Sequence, residues 1–181
     1  MQDKTKLNIA PLMGDFALLV LAFFITIIIV QQLKIIKSEE TMEIPSDTYF
    51  NTSEYSLNEN KRSQLKMSLE DSIFSKIEKY FNVGRLQMVR IEGHTDDVQP
   101  DPKIERIWKT NRELSLLRAN TVTSLLEEIA EERIEDNKIE SFKSKLFPGG
   151  YGEYRSIPRG TLGVNDWRTK NRRIEIQLIV K

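Results

Sequence analysis

Residues Leu12 to Val30 read LMGDFALLVLAFFITIIIV, and a run this apolar leaves few structural choices. At ~1.5 Å of rise per residue it just covers a ~30 Å hydrocarbon core, so the sequence predicts a transmembrane helix over residues 12–33. Its one charged side chain within Leu12–Val30 is Asp15. A carboxylate at the centre of such a helix costs about 2.5–3.5 kcal/mol, and less toward an end. Helical spacing puts Asp15, Leu19, Ala22, Thr26 and Ile29 on one stripe with Gly14 beside it, while the bulky residues face elsewhere. Such a stripe suits packing against protein. Two readings stay open at this point. Asp15 is an ion-carrying carboxylate held in a helix bundle, or it lies close enough to Pro11 to reach headgroup water and does nothing more.

The run is too long for a signal-peptide core. It also continues into VQQLKIIKSEE without a small-x-small cleavage pattern, so it reads as a retained anchor. Residues 1–11 form a short polar lead, 34–43 a short linker, and 44–181 one domain of ordinary size. Of the 181 residues, 27 are Lys or Arg and 27 are Asp or Glu. That balance argues against a nucleic-acid partner, which would demand a basic excess. The absence of cysteine removes disulfides, thiol catalysis and thiolate metal sites.

Along the domain, Ile44–Phe50 reads as a short strand interrupted by Pro45, followed by a turn-rich NTSEYSLNEN. Asn58 is placed to cap a helix running to about Asn82, with Leu65, Leu69, Ile73, Ile77 and Phe81 on its apolar face. Leu86–Glu92 alternates as a strand into GHTDD. A second helix starts at Asn111 and buries Leu114, Leu117, Val122, Leu125 and Ile129. The charged EEIAEERIEDNK reads as a solvated end and turn. Lys145–Gly150 is a further strand, Glu153–Lys170 a polar loop, and Arg173–Val180 a final strand with Ile174, Ile176, Leu178 and Val180 inward. The order β-α-β-α-β-β makes an α+β sandwich with its helices on one face of the sheet.

Four segments carry a resemblance in this order: IEGHTDD (Ile91–Asp97), NRELSLLRANTV (Asn111–Val122), GYGE (Gly150–Glu153) and NRRIEI (Asn171–Ile176). Together they resemble the OmpA-like peptidoglycan-binding domain of OmpA tails, Pal and flagellar stator B subunits, over residues 44–181. The resemblance implies that Asp96 and Arg118 grip the zwitterionic end of a stem-peptide diamino acid. A carboxylate suits an ammonium, and a guanidinium suits a carboxylate. It further implies that Asn111, Leu114 and Arg172 line the same groove. On residues alone, Asp96 could instead cap a turn, and Arg118 could pair with Glu113 or Asp97. His94 beside Asp96 and Asp97 suggests a metal, but a lone histidine without a second spaced ligand is a weak case, and no metal site is expected. Nothing in the motif set pairs an acid with a nucleophile, so the domain reads as a binder and not an enzyme.

GDFALLVLAFF (Gly14–Phe24) ahead of this domain resembles MotB-type stator subunits, with Asp15 falling on their ion-carrying aspartate. The resemblance implies two copies of the chain inside a ring of multi-span MotA-like or ZorA-like subunits. Either H+ or Na+ would pass Asp15, with Thr26 on the same stripe, and no bound cofactor is expected. It also implies a bacterial inner-membrane protein with a cytoplasmic N-terminus and a periplasmic C-terminal domain. The basic tail is nearly absent and the connector is short, and ZorB of the Zorya anti-phage systems shares this plan, so the reading leans to a ZorB-like motor. A flagellar MotB-like stator and a passive, Pal-like wall anchor are the alternatives.

Overall fold

The computed structural model describes residues 16, 18–28, 38–99 and 107–181. The chain divides into two compact units, Met1–Lys37 and Ser38–Lys181. In the first, residues 18–28 are helical, and the Thr26 hydroxyl donates to the Ala22 carbonyl at 2.8 Å. Among the described residues no helix is long and apolar enough to cross a membrane. Of the transmembrane helix expected over 12–33 only residues 16 and 18–28 are described, which do not make a span, and Asp15 lies outside the described residues.

The second unit is a four-stranded sheet with helices packed on one face. Strand β1 spans Ser38–Pro45, β2 Leu86–His94, β3 Leu146–Gly152 and β4 Arg173–Val180, in the spatial order β1-β4-β2-β3. β4 runs antiparallel to both β1 and β2, while β2 and β3 are parallel. The strand expected at Ile44–Phe50 is displaced: β1 takes most of the stretch expected as linker and stops at Pro45, after which Ser46–Tyr49 turn into the short helix α1. Proline fixes φ near the helical value and suits the position before a helix better than a strand interior.

Helix α2, Glu59–Leu69, starts where Asn58 Oδ1 accepts from the Lys61 amide at 2.9 Å. A widened π turn at Glu70–Phe74 joins it to α3, Ser75–Asn82. The predicted stripe of Leu65, Leu69, Ile73 and Ile77 is buried. The π turn inserts one residue into the helical repeat, so Phe74 goes inside as well. Helix α4, Asn111–Arg133, opens on a capping box in which Thr110 accepts from the Glu113 amide and Glu113 reaches back to the Thr110 amide. Leu114, Val122, Leu125 and Ile129 are buried as expected, but Leu117 is only half-buried.

Both the charged Glu127–Lys138, expected as a solvated end and turn, and the polar loop expected over Glu153–Lys170 hold helix. Glu127–Arg133 completes α4 and buries Ile129 and Ala130, while its charges face outward onto partners: Glu132 on Lys66 at 2.6 Å, Arg133 on Glu78 at 2.6 Å and Glu131 on Lys143 at 2.7 Å. Helix α5, Ile139–Lys143, follows a 3-10 turn at Asp136–Lys138. The polar stretch before β4 holds helix α6, Val164–Asn171, which buries only Asn171 and so shows no apolar stripe.

The core fills the space between α2–α5 and the sheet face carrying Val89, Ile91, Ile174, Ile176, Leu178 and Val180. Close approach of α4 to the sheet depends on glycine. A Cβ on Gly93 would stand 2.0 Å from the Ser115 carbonyl oxygen, and one on Gly150 would stand 2.4 Å from that of Arg112. That contact brings the first turns of α4 over the ends of β2 and β3.

Candidate functional site

A cavity of about 420 Å³ lies where β2 ends, α4 begins and β4 is about to start. Each of the five wall-binding candidates lines it. Asp96 follows β2, Asn111, Leu114 and Arg118 lie along α4, and Arg172 sits just before β4. Asp47 of α1, Thr52, Ser53, Val98 and Trp108 complete most of the wall.

Arg118 is 3 % exposed and braced by the segment after β1. Its Nε donates to the Glu54 carbonyl at 2.8 Å, Nη2 to the Asn51 carbonyl at 3.1 Å and Nη1 to Ser46 Oγ at 3.2 Å. The guanidinium carbon stands 5.3 Å from the Phe50 ring centroid. Burial pushes the guanidinium down to about 10, with Asp47 and Asp96 pulling the other way and Arg172 adding to the drop. It is still a full cation at neutral pH. Of its five N–H donors, three are thus used within the domain, and no described residue takes the other two.

Arg172 is the second cation. Its Nε reaches both Asp47 oxygens at 2.9 and 2.8 Å, Nη1 reaches Asp96 Oδ2 at 2.5 Å and Nη2 donates to Thr169 Oγ1 at 3.0 Å. Burial alone would lower its pKa, but the hydrogen bonds it donates to Asp47 and Asp96 outweigh it and the net shift is upward. Asp96 also accepts from the Val98 amide through Oδ1 at 3.1 Å, an Asx turn that aims the carboxylate into the cavity. Asn111 fixes that turn from below, its Nδ2 donating to the Val98 carbonyl at 3.0 Å and the Asp96 carbonyl at 3.3 Å. Asn111 is therefore a brace for the loop, and Leu114 an apolar wall. The predicted pair is correspondingly indirect: the carboxylate that bonds a guanidinium here does so to Arg172, and Arg118 does not bond Asp96.

The arrangement alternates charge around one hollow, two carboxylates and two guanidiniums, which is the electrostatic complement of a zwitterion. Asp47 was not legible as a site residue, since it sits in the middle of the stretch expected as the strand Ile44–Phe50, and only the tertiary ion pair with Arg172 reveals it. Ser53 lines the cavity at φ 63, a left-handed backbone that non-glycine residues adopt rarely. Asp97 faces away, bonded by Arg168 Nε at 2.6 Å, which holds its carboxyl below the usual range. His94 turns to the opposite sheet face and groups with Glu92 and Glu175, not with Asp96 and Asp97. In the first unit, Thr26 is exposed and its hydroxyl bonded to its own helix.

A four-stranded mixed sheet with helices on one face and a charged hollow at the strand ends defines an OmpA-like α+β domain. A family model described as OmpA family matches residues 49–156, and the chain belongs to that family. Three solved structures share the fold. A MotB-like protein from Desulfovibrio vulgaris has 24% identity and a TM-score of 0.55, covering 79% of this chain and 76% of its own. The periplasmic domain of Helicobacter pylori MotB also has 24% identity and a TM-score of 0.55, with coverages of 81% and 79%. The cell wall anchor of the T6SS from Pseudomonas aeruginosa has 19% identity and a TM-score of 0.54, with coverages of 79% and 82%. Comparison with curated proteins gives no match.

Proposed function

We propose that residues 38–181 bind peptidoglycan and act as the wall anchor of an ion-driven membrane motor, of which this chain is the B subunit. One observation supports the binding most strongly: Asp96, Asp47, Arg118 and Arg172 converge on a single cavity, where two Arg118 donors are taken by no described residue. A diamino acid of the stem peptide carries an ammonium and a carboxylate on one carbon. The carboxylate docks on Arg118 and the ammonium beside Asp96, which shares its outer oxygen with Arg172. Asp47 and Asp96 are both committed to Arg172, which favours recognition over acid–base chemistry.

The motor reading rests on the sequence of the first unit and on the fold shared with MotB periplasmic domains. The exposed Phe16, Leu19 and Phe23 suit a lipid or partner-helix surface. In that reading Asp15 is loaded and unloaded with H+ or Na+, two copies sit within a ring of MotA-like or ZorA-like subunits, and the domain lies in the periplasm. The plan leans to a ZorB-like defence motor over a flagellar stator. A passive anchor with Asp15 silent is the second reading, favoured by the fold shared with the T6SS cell wall anchor at a TM-score of 0.54.

Asp96→Asn keeps the shape and the Val98 turn while removing the charge, and it should release the full chain from purified sacculi in a pull-down. Retained binding would discredit the pocket. Asp15→Asn should abolish motor-dependent activity with wall binding intact; unchanged activity would leave the passive anchor standing.

A further inference from the structure

The sheet face turned away from the helices carries a buried ionic cluster that the wall-binding cavity does not use. Glu92 of β2 and Glu175 of β4 stand directly opposite each other across the antiparallel pair. Like charges in that position repel, and Glu92 is 2 % exposed, so the pairing is costly unless cations offset it. Arg173 bonds Glu175 through Nε at 2.7 Å, and Arg155 Nη1 lies 3.3 and 3.2 Å from the two Glu92 oxygens. Arg90 Nη1 stands 3.8 Å from Glu92.

Into this cluster points His94, the chain's single histidine. It is 2 % exposed, yet among the described residues neither ring nitrogen has a hydrogen-bond partner, and Nε2 stands 3.8 Å from Glu175 Oε1. The register shift between Gly93 and His94 re-aims the side chain, and Tyr151 of β3 stacks on its ring at 5.6 Å. One ligand atom from each of Glu92, His94 and Glu175 lies within 4.8 Å of the others. Ligands ~2.0–2.1 Å from a tetrahedral zinc stand roughly 3.3 Å apart, so side-chain rotation of about 1.5 Å would close the widest gap.

We propose that Glu92, His94 and Glu175 form a site for a divalent transition-metal ion such as zinc, and that Arg155 is its resident stand-in cation. Two carboxylates and one imidazole make a nitrogen–oxygen donor set that suits zinc over calcium or magnesium. Arg155 is the cation able to leave: its side chain is 53% exposed and its contacts with Glu92 are long, whereas the Arg173 side chain is 7% exposed. Its guanidinium lies 3.8 Å over Tyr151 and would swing outward when the ion enters. Arg173 keeps Glu175 oriented by the hydrogen bond it already makes, the part usually taken by a partner behind the ligand.

The test uses the full, tag-free chain purified in detergent, with zinc chloride titrated by calorimetry and the imidazole followed by NMR of ¹⁵N-histidine-labelled protein. One ion per chain is expected, with the ring-nitrogen resonances of His94 shifting in step with it and magnesium failing to displace it. Arg155→Gln removes the competing cation and should tighten zinc binding at least fivefold; His94→Gln should weaken it at least tenfold. The NMR arm needs no variant, so misfolding of His94→Gln cannot mask the outcome. Imidazole resonances that stay put at saturating zinc, or an Arg155→Gln affinity equal to the wild type, would overturn the proposal.

Discussion

Replacing Arg118 by lysine keeps one positive charge and removes the fork that carries it. In the wild type, three acceptors in different directions are met at once: the Glu54 and Asn51 carbonyls and Ser46 Oγ. A single ammonium on a flexible stem reaches one of them in good geometry, leaving two acceptors unmet. Each unmet buried acceptor costs about 1–3 kcal/mol. Because both carbonyl contacts are only part-buried, the low end of the range applies, about 1–1.5 kcal/mol each, and a loss of about 2–3 kcal/mol follows for the domain. For a domain of this size that lowers the melting temperature by roughly 5–10 °C. On the proposed binding mode, affinity should suffer separately: exchanging a two-pronged guanidinium–carboxylate contact for a one-pronged one removes roughly 1.5–3 kcal/mol, or about 10–150-fold in affinity for sacculi. Differential scanning fluorimetry and a peptidoglycan pull-down on the same preparation, well below the lowered melting point, read the two effects apart. A lysine variant that melts and binds like the wild type would refute both the bracing and the gripping ascribed to Arg118.

Gly93→Ala places a methyl 2.0 Å from a backbone carbonyl that cannot swing aside, so α4 must lift from β2, and a loss of at least about 3 kcal/mol should appear in urea denaturation. Tolerance of alanine there would mean that the helix does not sit on the strand as described. Thr110→Ala removes one half of the α4 cap and should cost about 1 kcal/mol by the same assay. Glu113, the other half, is held below its ordinary pKa by the Lys109 and Thr110 amides. Its contribution is therefore full above pH 4.5 and fades as the pH falls through its lowered folded value. Glu113→Gln should flatten that part of the acid-side stability curve; an unchanged slope would remove Glu113 from the cap.

Much of the domain was legible because burial and periodicity coincide. Leu65, Leu69, Ile73 and Ile77 repeat with helical spacing and meet one core, and β4 alternates without interruption. The Asn58 cap is local chemistry and needs no tertiary information. What escaped was structure whose logic is non-local. α6 buries Asn171 alone, so no stripe announces it, and the charges of Glu127–Arg133 looked like a turn because their partners Lys66, Glu78 and Lys143 lie on other elements. In the cavity, short motifs pointed to Asp96, Arg118 and Arg172, whereas Asp47 joins them only through an ion pair spanning 125 residues of sequence.

Strand β1 starts the second unit at Ser38 and stops one residue short of Ser46, which bonds Arg118, and two short of Asp47, which lines the cavity. A pull applied at Ser38 against a ligand held in that cavity runs along the strand axis, over about 23 Å at ~3.3 Å per residue. Its hydrogen bonds to β4 are then loaded side by side in shear, so no single rung can peel away ahead of the others. A pull directed across the strand at Ser38 would instead load the rungs one at a time and unzip them under far less force.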